Sequence, residues 1–350
     1  MFAQPLRRHL AAALLSAAGL FILSAPALAQ VGGLSRTGNS FALLGDVPYS
    51  VTEEVKFDNV IADINATRGV RFVLHNGDVK SGSESCGDAL LTRRFNQFQN
   101  FVRGFVITPG DNDWTDCHRV NNGAFLPTER LTRFREIYYP VPGRTTGQRP
   151  FTVDTQASVP GYAKYVENMM WSFAGTTMAT VHVVGSNNNL DPWTGIDPGD
   201  SYTTPRADRI AEFNEREAAA LVWIDTVFDR AVQQASAGVL IAWQANPNFE
   251  LASTAQQRQG FNKVLDKLGA RAQAFGKPVV LAHGDSHYFR LDKPLVRPIA
   301  PSGNASLENF TRAENFGTPQ VHWVEVFVDA RDPNVFTFVP RLVRANFFPR

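Results

Sequence analysis

The run VRFVLHNGD, residues 70–78, decides how this chain is read. Its β-branched and aromatic side chains suit a strand covered on both faces, and a Gly-Asp pair stops it. The same ending closes three other apolar runs: SFALLGD at Gly45-Asp46, GFVITPGD at Gly110-Asp111 and PVVLAHGD at Gly284-Asp285. One Gly-Asp after a strand is ordinary, since glycine makes turns and aspartate caps helices. Four of them at four strand ends call for a common cause.

Helix-like segments lie between these runs. The amphipathic TEEVKFDNVIADINATRG separates the first two, and LLTRRFNQFQNFVR precedes the third. That alternation predicts crossover units, a largely parallel sheet and an α/β fold. After a looser Pro/Gly/Thr-rich stretch over residues 140–161, the pattern resumes with TTMATVHVVGSNNN and the long helix-like IAEFNEREAAALVWIDTVFDRAVQQA. GVLIAWQANPNF, a helical segment over residues 256–275 and the Gly284 run follow, and VHWVEVFVD with VFTFVPRLV predicts a closing antiparallel pair. No long linker interrupts the chain, so residues 30–350 are expected to form one domain. Neither a phosphate-cradling Gly-x-x-x-x-Gly-Lys nor a dinucleotide Gly-x-Gly-x-x-Gly is present.

Residues 1–29 read as a secretory signal: basic at Arg7-Arg8, apolar from Leu10 to Leu23, and ending in Ala27-Leu28-Ala29. The expected product is exported, periplasmic or secreted. Without the signal, 32 basic face 33 acidic side chains, with no basic tract, so nucleic-acid binding by bulk charge is not expected. No second apolar run reaches spanning length, and a membrane span in the mature chain is not expected. Nothing in the sequence speaks to oligomeric state. The two cysteines, Cys86 and Cys117, each follow an acidic loop, which in an exported protein predicts one disulfide tying those loops together.

In sheets of this kind ligands sit beyond the carboxyl ends of the strands. The residues placed there are Asp46, Asn76-Gly77-Asp78, Asp111-Asn112-Asp113, Asn187-Asn188-Asn189, Gln244-Ala245-Asn246 and Asp285-Ser286-His287. If Asp46, Asp78, Asp111 and Asp285 converge, their like charges raise one another's pKa and oppose folding unless cations neutralise them. Two divalent ions supply that compensation. Oxygen-rich ligation suits magnesium, manganese or calcium better than a thiolate zinc site.

In the stretches GDVPY, NGDVK, PGDNDW, QANPNF and HGDSH, taken in this order, the chain resembles the calcineurin-like metallophosphoesterases, the superfamily of purple acid phosphatases and 5′-nucleotidases. The resemblance covers nearly the whole mature chain. It implies a four-layer α/β/β/α sandwich of two mixed sheets flanked by helices. The implied activity is hydrolysis of phosphate mono- or diesters, with a small phosphoester as substrate. Carried over residue by residue, Asp78 bridges two metal ions, Asp46 and His287 hold one, and Asp111 or Asn112 with Asp285 holds the other. Ions ~3.5–4 Å apart activate water for in-line attack on phosphorus.

Several family histidines are replaced. Pro48 stands in the first motif, Ala245, Gln244 or Asn246 in the fourth, and Asp285 in the last. Asn112 occupies the place of the catalytic histidine when Gly110 and Asp113 are matched. Asn112 thus holds the catalytic position, and candidates for the lost proton-transfer role are His118 and His283. Arg119 offers a planar fork to a phosphate oxygen, and Asn188 a second substrate contact. His75 is expected to orient Asp78, while His182 and His322 are read as packed strand residues, and Trp114 and Trp193 as core or pocket rim. The replaced histidines also leave open a degenerate member that binds a metal or ligand without hydrolysis.

Overall fold

A computed structural model of the protein describes residues 1, 38–299 and 303–347. Apart from Met1, the segment read as a secretory signal lies outside them. Residues 38–347, where described, belong to one compact unit.

The Gly-Asp runs form the strands expected of them. Strand β1 (Ser40–Leu44) is buried throughout, and β2 (Val70–His75) and β3 (Gly104–Ile107) nearly so. The helices Val51–Ala66 and Asp88–Phe98 connect them, so all three strands run parallel. The first helix begins where Ser50 caps it: its side chain accepts the Glu53 N–H, while the Glu53 carboxylate reaches back to the Tyr49 N–H. β4 (Thr146–Gly147) adds an antiparallel edge, and β5 (Asp154–Thr155) opens the second sheet. That sheet continues through β6 (Met169–Phe173), β7 (Thr176–Thr180), β8 (Val239–Ala242) and β9 (Val279–His283). β10 (Arg290–Asp292) is its far edge, β11 (Val296–Ile299) and β12 (Gly303–Ser306) make a separate hairpin, and β13 (Phe310–Glu314) returns parallel to β9. β14 (Trp323–Val328) and β15 (Phe336–Arg341) close the chain as the expected antiparallel pair.

The strand orders are β15-β14-β1-β2-β3-β4 and β10-β13-β9-β8-β7-β6-β5. Both sheets are mixed. Alternation along β8 and β9 shows how the layers stack. Leu240, Ala242, Val280 and Ala282 join the core shared with Phe41, Leu43 and Trp323 of the first sheet. Val239, Ile241, Val279 and Leu281 face the other way, onto Trp223, Ile224 and Val227 of the helix Ala207–Gln233 and Leu265 and Leu268 of the helix Asn262–Phe275. On the outer side of the first sheet, Phe57, Leu91 and Phe134 come from Val51–Ala66, Asp88–Phe98 and the helix Pro127–Tyr138. The result is the α/β/β/α sandwich. Among the described residues no helix is long and apolar enough to cross a membrane.

Two local expectations need correction. The helical segment over residues 256–275 divides into a 3₁₀ helix, Gln256–Phe261, and the α-helix Asn262–Phe275. The Asn187 side chain accounts for the break, because it donates to the Gln256 carbonyl and accepts from the Gly260 N–H. His182 does not lie within a strand, since β7 ends at Thr180.

Candidate metal centre

The four Gly-Asp pairs interlock. Asp46, Asp78 and Asp285 follow the ends of β1, β2 and β9 with φ of 56°, 57° and 79°, a left-handed backbone that costs a non-glycine residue energy. Two of these turns swing a carboxylate toward the glycine of another pair. A Cβ on Gly110 would lie 2.0 Å from Asp78 Oδ1, and one on Gly284 would lie 2.1 Å from Asp46 Oδ2. Gly110 and Gly284 are therefore room for Asp78 and Asp46, while a Cβ on Gly45 would meet Asn315 and one on Gly77 the backbone of residues 108–110.

Asp78, Asp111 and Asp285 each bring a carboxylate oxygen within 4.8 Å of the others. The Gln244 amide nitrogen sits among them, 3.2 Å from Asp78, 3.1 Å from Asp111 and 3.2 Å from Asp285, and its oxygen accepts the Gly185 N–H at 2.6 Å. An amide nitrogen has two protons, so it cannot satisfy three carboxylates. Asp46 adjoins the group: Oδ1 accepts the Asp285 N–H at 2.9 Å and Oδ2 the Asn315 amide at 2.9 Å. Burial, then mutual repulsion, pushes Asp78 and Asp285 well above the usual carboxylate range, and burial does the same for Asp46.

His287 stands beside Asp46, with Nε2 3.8 Å from Oδ1. Its Nδ1 faces the Thr318 carbonyl at 3.0 Å and is the donor there, so in the neutral ring the Nε2 lone pair is turned toward the carboxylates. Two lone pairs facing each other at that distance suit a cation between them. The donor set is hard oxygens plus one imidazole, and the cluster can hold a metal ion. Lys80 is the nearby compensating cation, buried and bonded through Nζ to the Ser81 carbonyl at 3.0 Å. Burial lowers its pKa despite the pull of Asp113, Asp78 and Asp116.

The third loop places Asp111 and Asn112 differently. Asp113 pins the loop by accepting the backbone N–H groups of Val79, Asp78 and Gly110 at 2.8, 3.1 and 2.7 Å. Asp111 then turns its carboxylate into the cluster. Asn112 donates its amide to Asp78 Oδ2 at 2.8 Å and to the Tyr49 hydroxyl at 3.0 Å, and Tyr49 itself donates to Asp78 at 2.8 Å. Asn112 thus bonds to Asp78 through its amide nitrogen. The expected disulfide joins Cys86 to Cys117, with Cα atoms 5.7 Å apart, and ties the second and third loops.

Ser186 to Asn189 form a left-handed turn with φ between 49° and 66°. This turn brings the Ser186 hydroxyl to Asp111 at 2.8 Å and to Asp116 at 2.7 Å. One hydroxyl proton cannot serve both carboxylates. Burial, then Asp111, raises Asp116 to about 7, so Asp116 shares the proton load. Beyond Ser186 opens a cavity of about 340 Å³, walled by Asp116, His118, Arg119, Trp193 and Tyr202.

The other candidates fare differently. His118 lines that cavity but accepts the Gly195 N–H through Nδ1 at 3.2 Å, and burial lowers it to about 4. It has no bond to the four aspartates. His283 is fully buried in β9 with Nδ1 on the Gly284 carbonyl at 2.8 Å, on the strand face shared with Leu281 and away from the cluster. Burial lowers it to about 3. Arg119 pairs with Asp116 at 2.7 Å and keeps 43% of its side chain exposed at the cavity. Asn188 is no substrate contact: it is buried, donates to the Gly260 carbonyl at 2.9 Å and accepts from Arg216. His75 orients backbone instead of Asp78, donating from Nε2 to the Val47 carbonyl and accepting the Gly77 N–H at Nδ1. Ala245 packs in the core, leaving Gln244 as the fourth-motif side chain at the site. His182 bonds Glu167, His322 accepts the Val343 N–H, and Trp114 is core.

Tyr49, Lys80, Asp116, Ser186 and Asn315 were not legible as site residues. Tyr49 and Lys80 end the quoted stretches GDVPY and NGDVK, the only sequence signal that points to them.

No family model matches the chain, and no curated protein matches it. Among solved structures, "GAP50 the anchor in the inner membrane complex of Plasmodium" aligns over 87% of this chain and 89% of its own, at 11% identity and a TM-score of 0.43.

Proposed function

We propose that the protein is an exported metal-dependent hydrolase of phosphate mono- or diesters, a divergent calcineurin-like metallophosphoesterase. The observation that carries this is the buried meeting of Asp78, Asp111 and Asp285, with Asp46 and His287 alongside, beside a cavity that has an arginine at its wall. Asp78, Asp111 and Asp285 would hold one divalent ion. Asp46 and His287, with Asp78, would hold a second, and magnesium, manganese or calcium suits the donors. Bound there, the ions would supply an activated water and neutralise charge on phosphorus. The chain's own residues have separate tasks. Tyr49 and Asn112 hold Asp78 in place, and Ser186 holds Asp111. Arg119 faces the cavity, where a planar guanidinium meets phosphate oxygens, and the Trp193 and Tyr202 walls receive the ester's organic part.

The test is metal content together with hydrolysis of p-nitrophenyl phosphate and its bis-ester, for wild type and Asp78→Asn. Chelator-sensitive turnover lost in a folded Asp78→Asn is expected. A protein that takes up no manganese, magnesium or calcium would remove the basis of the proposal.

One observation favours a second reading, a site that binds an ion without hydrolysis. Gln244 turns a non-ligating nitrogen to the carboxylates, and neither His118 nor His283 reaches them. Calcium that raises the melting temperature, with no turnover on either ester under any of the three metals, would select it.

A further inference from the structure

A second cleft, of about 470 Å³, opens where β2 begins, whereas the carboxylates gather where β2 ends. Its lining is aromatic. The Phe72 ring centre lies 5.5 Å from Trp171, 5.1 Å from Phe173 and 5.9 Å from Phe151. Arg71, Arg149 and Arg230 also line it, with Asp154 as the acid among them. Arg230 bonds that acid at 2.7 Å. Arg71 and Arg149 are exposed and make no ion pair among the described residues, so the cleft carries two uncompensated guanidinium groups. The indole N–H of Trp171 is buried without a protein acceptor.

We propose that this cleft binds a small aromatic anion, a fused-ring or single-ring body bearing one carboxylate or sulfonate. The volume falls within the ~300–1,000 Å³ of small-molecule sites, which are mostly apolar with a few placed polar groups. Phe72 and Trp171 form the buried floor, and the partly exposed rings of Phe151 and Phe173 offer edges and faces for an aromatic partner. A planar guanidinium pairs bidentately with a carboxylate, and two unpaired ones select for an anion over a neutral or cationic ligand of the same shape. This site is independent of the metal centre.

The test compares naphthoate, naphthylmethanol and naphthylmethylammonium by calorimetry and by tryptophan fluorescence on the full protein. Naphthoate is expected to bind at least ~10-fold tighter than the alcohol, and the ammonium compound not to saturate. The double variant Arg71→Gln with Arg149→Gln changes exposed positions, and should weaken naphthoate ~10-fold while leaving the alcohol unchanged. Trp171→Phe should remove the ligand-dependent fluorescence change, which locates the ligand. Asp78→Asn should bind naphthoate as wild type does, so failure of the metal centre leaves this result standing. Equal affinity for the three probes, no saturable naphthoate binding, an arginine double variant with undiminished affinity, or a fluorescence change that survives Trp171→Phe would each overturn it.

Discussion

Two groups of carboxylates largely removed from solvent have opposite electrostatics in this molecule. Glu167 lies between Arg135 and His182, and Arg135 leads in holding it at about 2 against the cost of burial. Asp200 is likewise met by both arms of Arg209 at 2.8 and 2.7 Å and by the Trp193 and Arg206 N–H groups. Asp78 and Asp285 have no such arginine. They face each other and Asp111, with only neutral donors from Tyr49, Asn112, Gln244 and the Asn246 N–H, and their pKa values go up rather than down. Removal from solvent alone therefore does not distinguish the two groups. The charge of the neighbours does, and carboxylates that face one another with no ion-paired arginine form the arrangement a cation would complete.

The largest effect that tests this contrast is on turnover. Asp78→Asn should reduce phosphoester hydrolysis by ~10²–10³-fold or more and abolish tight metal binding, measured by steady-state kinetics and metal analysis. Glu167→Gln should leave metal content intact and instead cost ~3–5 kcal/mol of stability, since it strands Arg135 in a buried site. Denaturant unfolding of the metal-free proteins should show the opposite sign for Asp78→Asn, which removes repulsion. If both variants destabilise equally, the two clusters are alike and the contrast fails.

The pH dependence separates them further. Asp116 is raised to about 7 in the fold, so the native state binds the extra proton, and its contribution declines as pH rises from about 4 toward 7. Asp116→Asn should therefore gain stability on metal-free wild type progressively over that window. Glu167, lowered to about 2, contributes fully above its ordinary value of 4.5, and that contribution is lost as pH falls through about 2. The cost of Glu167→Gln should accordingly shrink in acid. Melting curves across pH for the two variants check both signs. The smallest effect is expected of Arg119→Ala, which should raise KM by ~10-fold with little change in kcat if the guanidinium meets substrate oxygens in ground and transition states alike. A kcat loss larger than the KM change would instead place Arg119 in transition-state stabilisation.

Much of the frame was legible. The runs ending at Asp46, Asp78, Asp111 and Asp285 show their strands through apolar continuity, and their position at strand ends follows from sheet geometry. Cys86 and Cys117 were the single pair an exported chain could oxidise. Histidines were a poorer guide. His118 and His283 are near Asp113 and Asp285 in sequence, yet strand pleating turns His283 to the helix side, and the Gly195 N–H engages His118. Asn188 looked like a free amide in a loop and proved to be a buried clamp on Gly260 and Arg216.

By itself, then, the sequence determined the alternation of elements, the closing hairpin, the covalent tie and which four aspartates stand at strand ends. These follow from periodicity and residue type along short stretches. The tertiary structure alone decided that Gly110 and Gly284 are room for Asp78 and Asp46, that Asp111 faces the cluster while Asn112 supports it, and that Gln244 stands where three carboxylates meet. Those outcomes depend on positive-φ turns and on two sheets packing face to face, which set side-chain directions between residues such as Asp111 and Gln244, 133 positions apart.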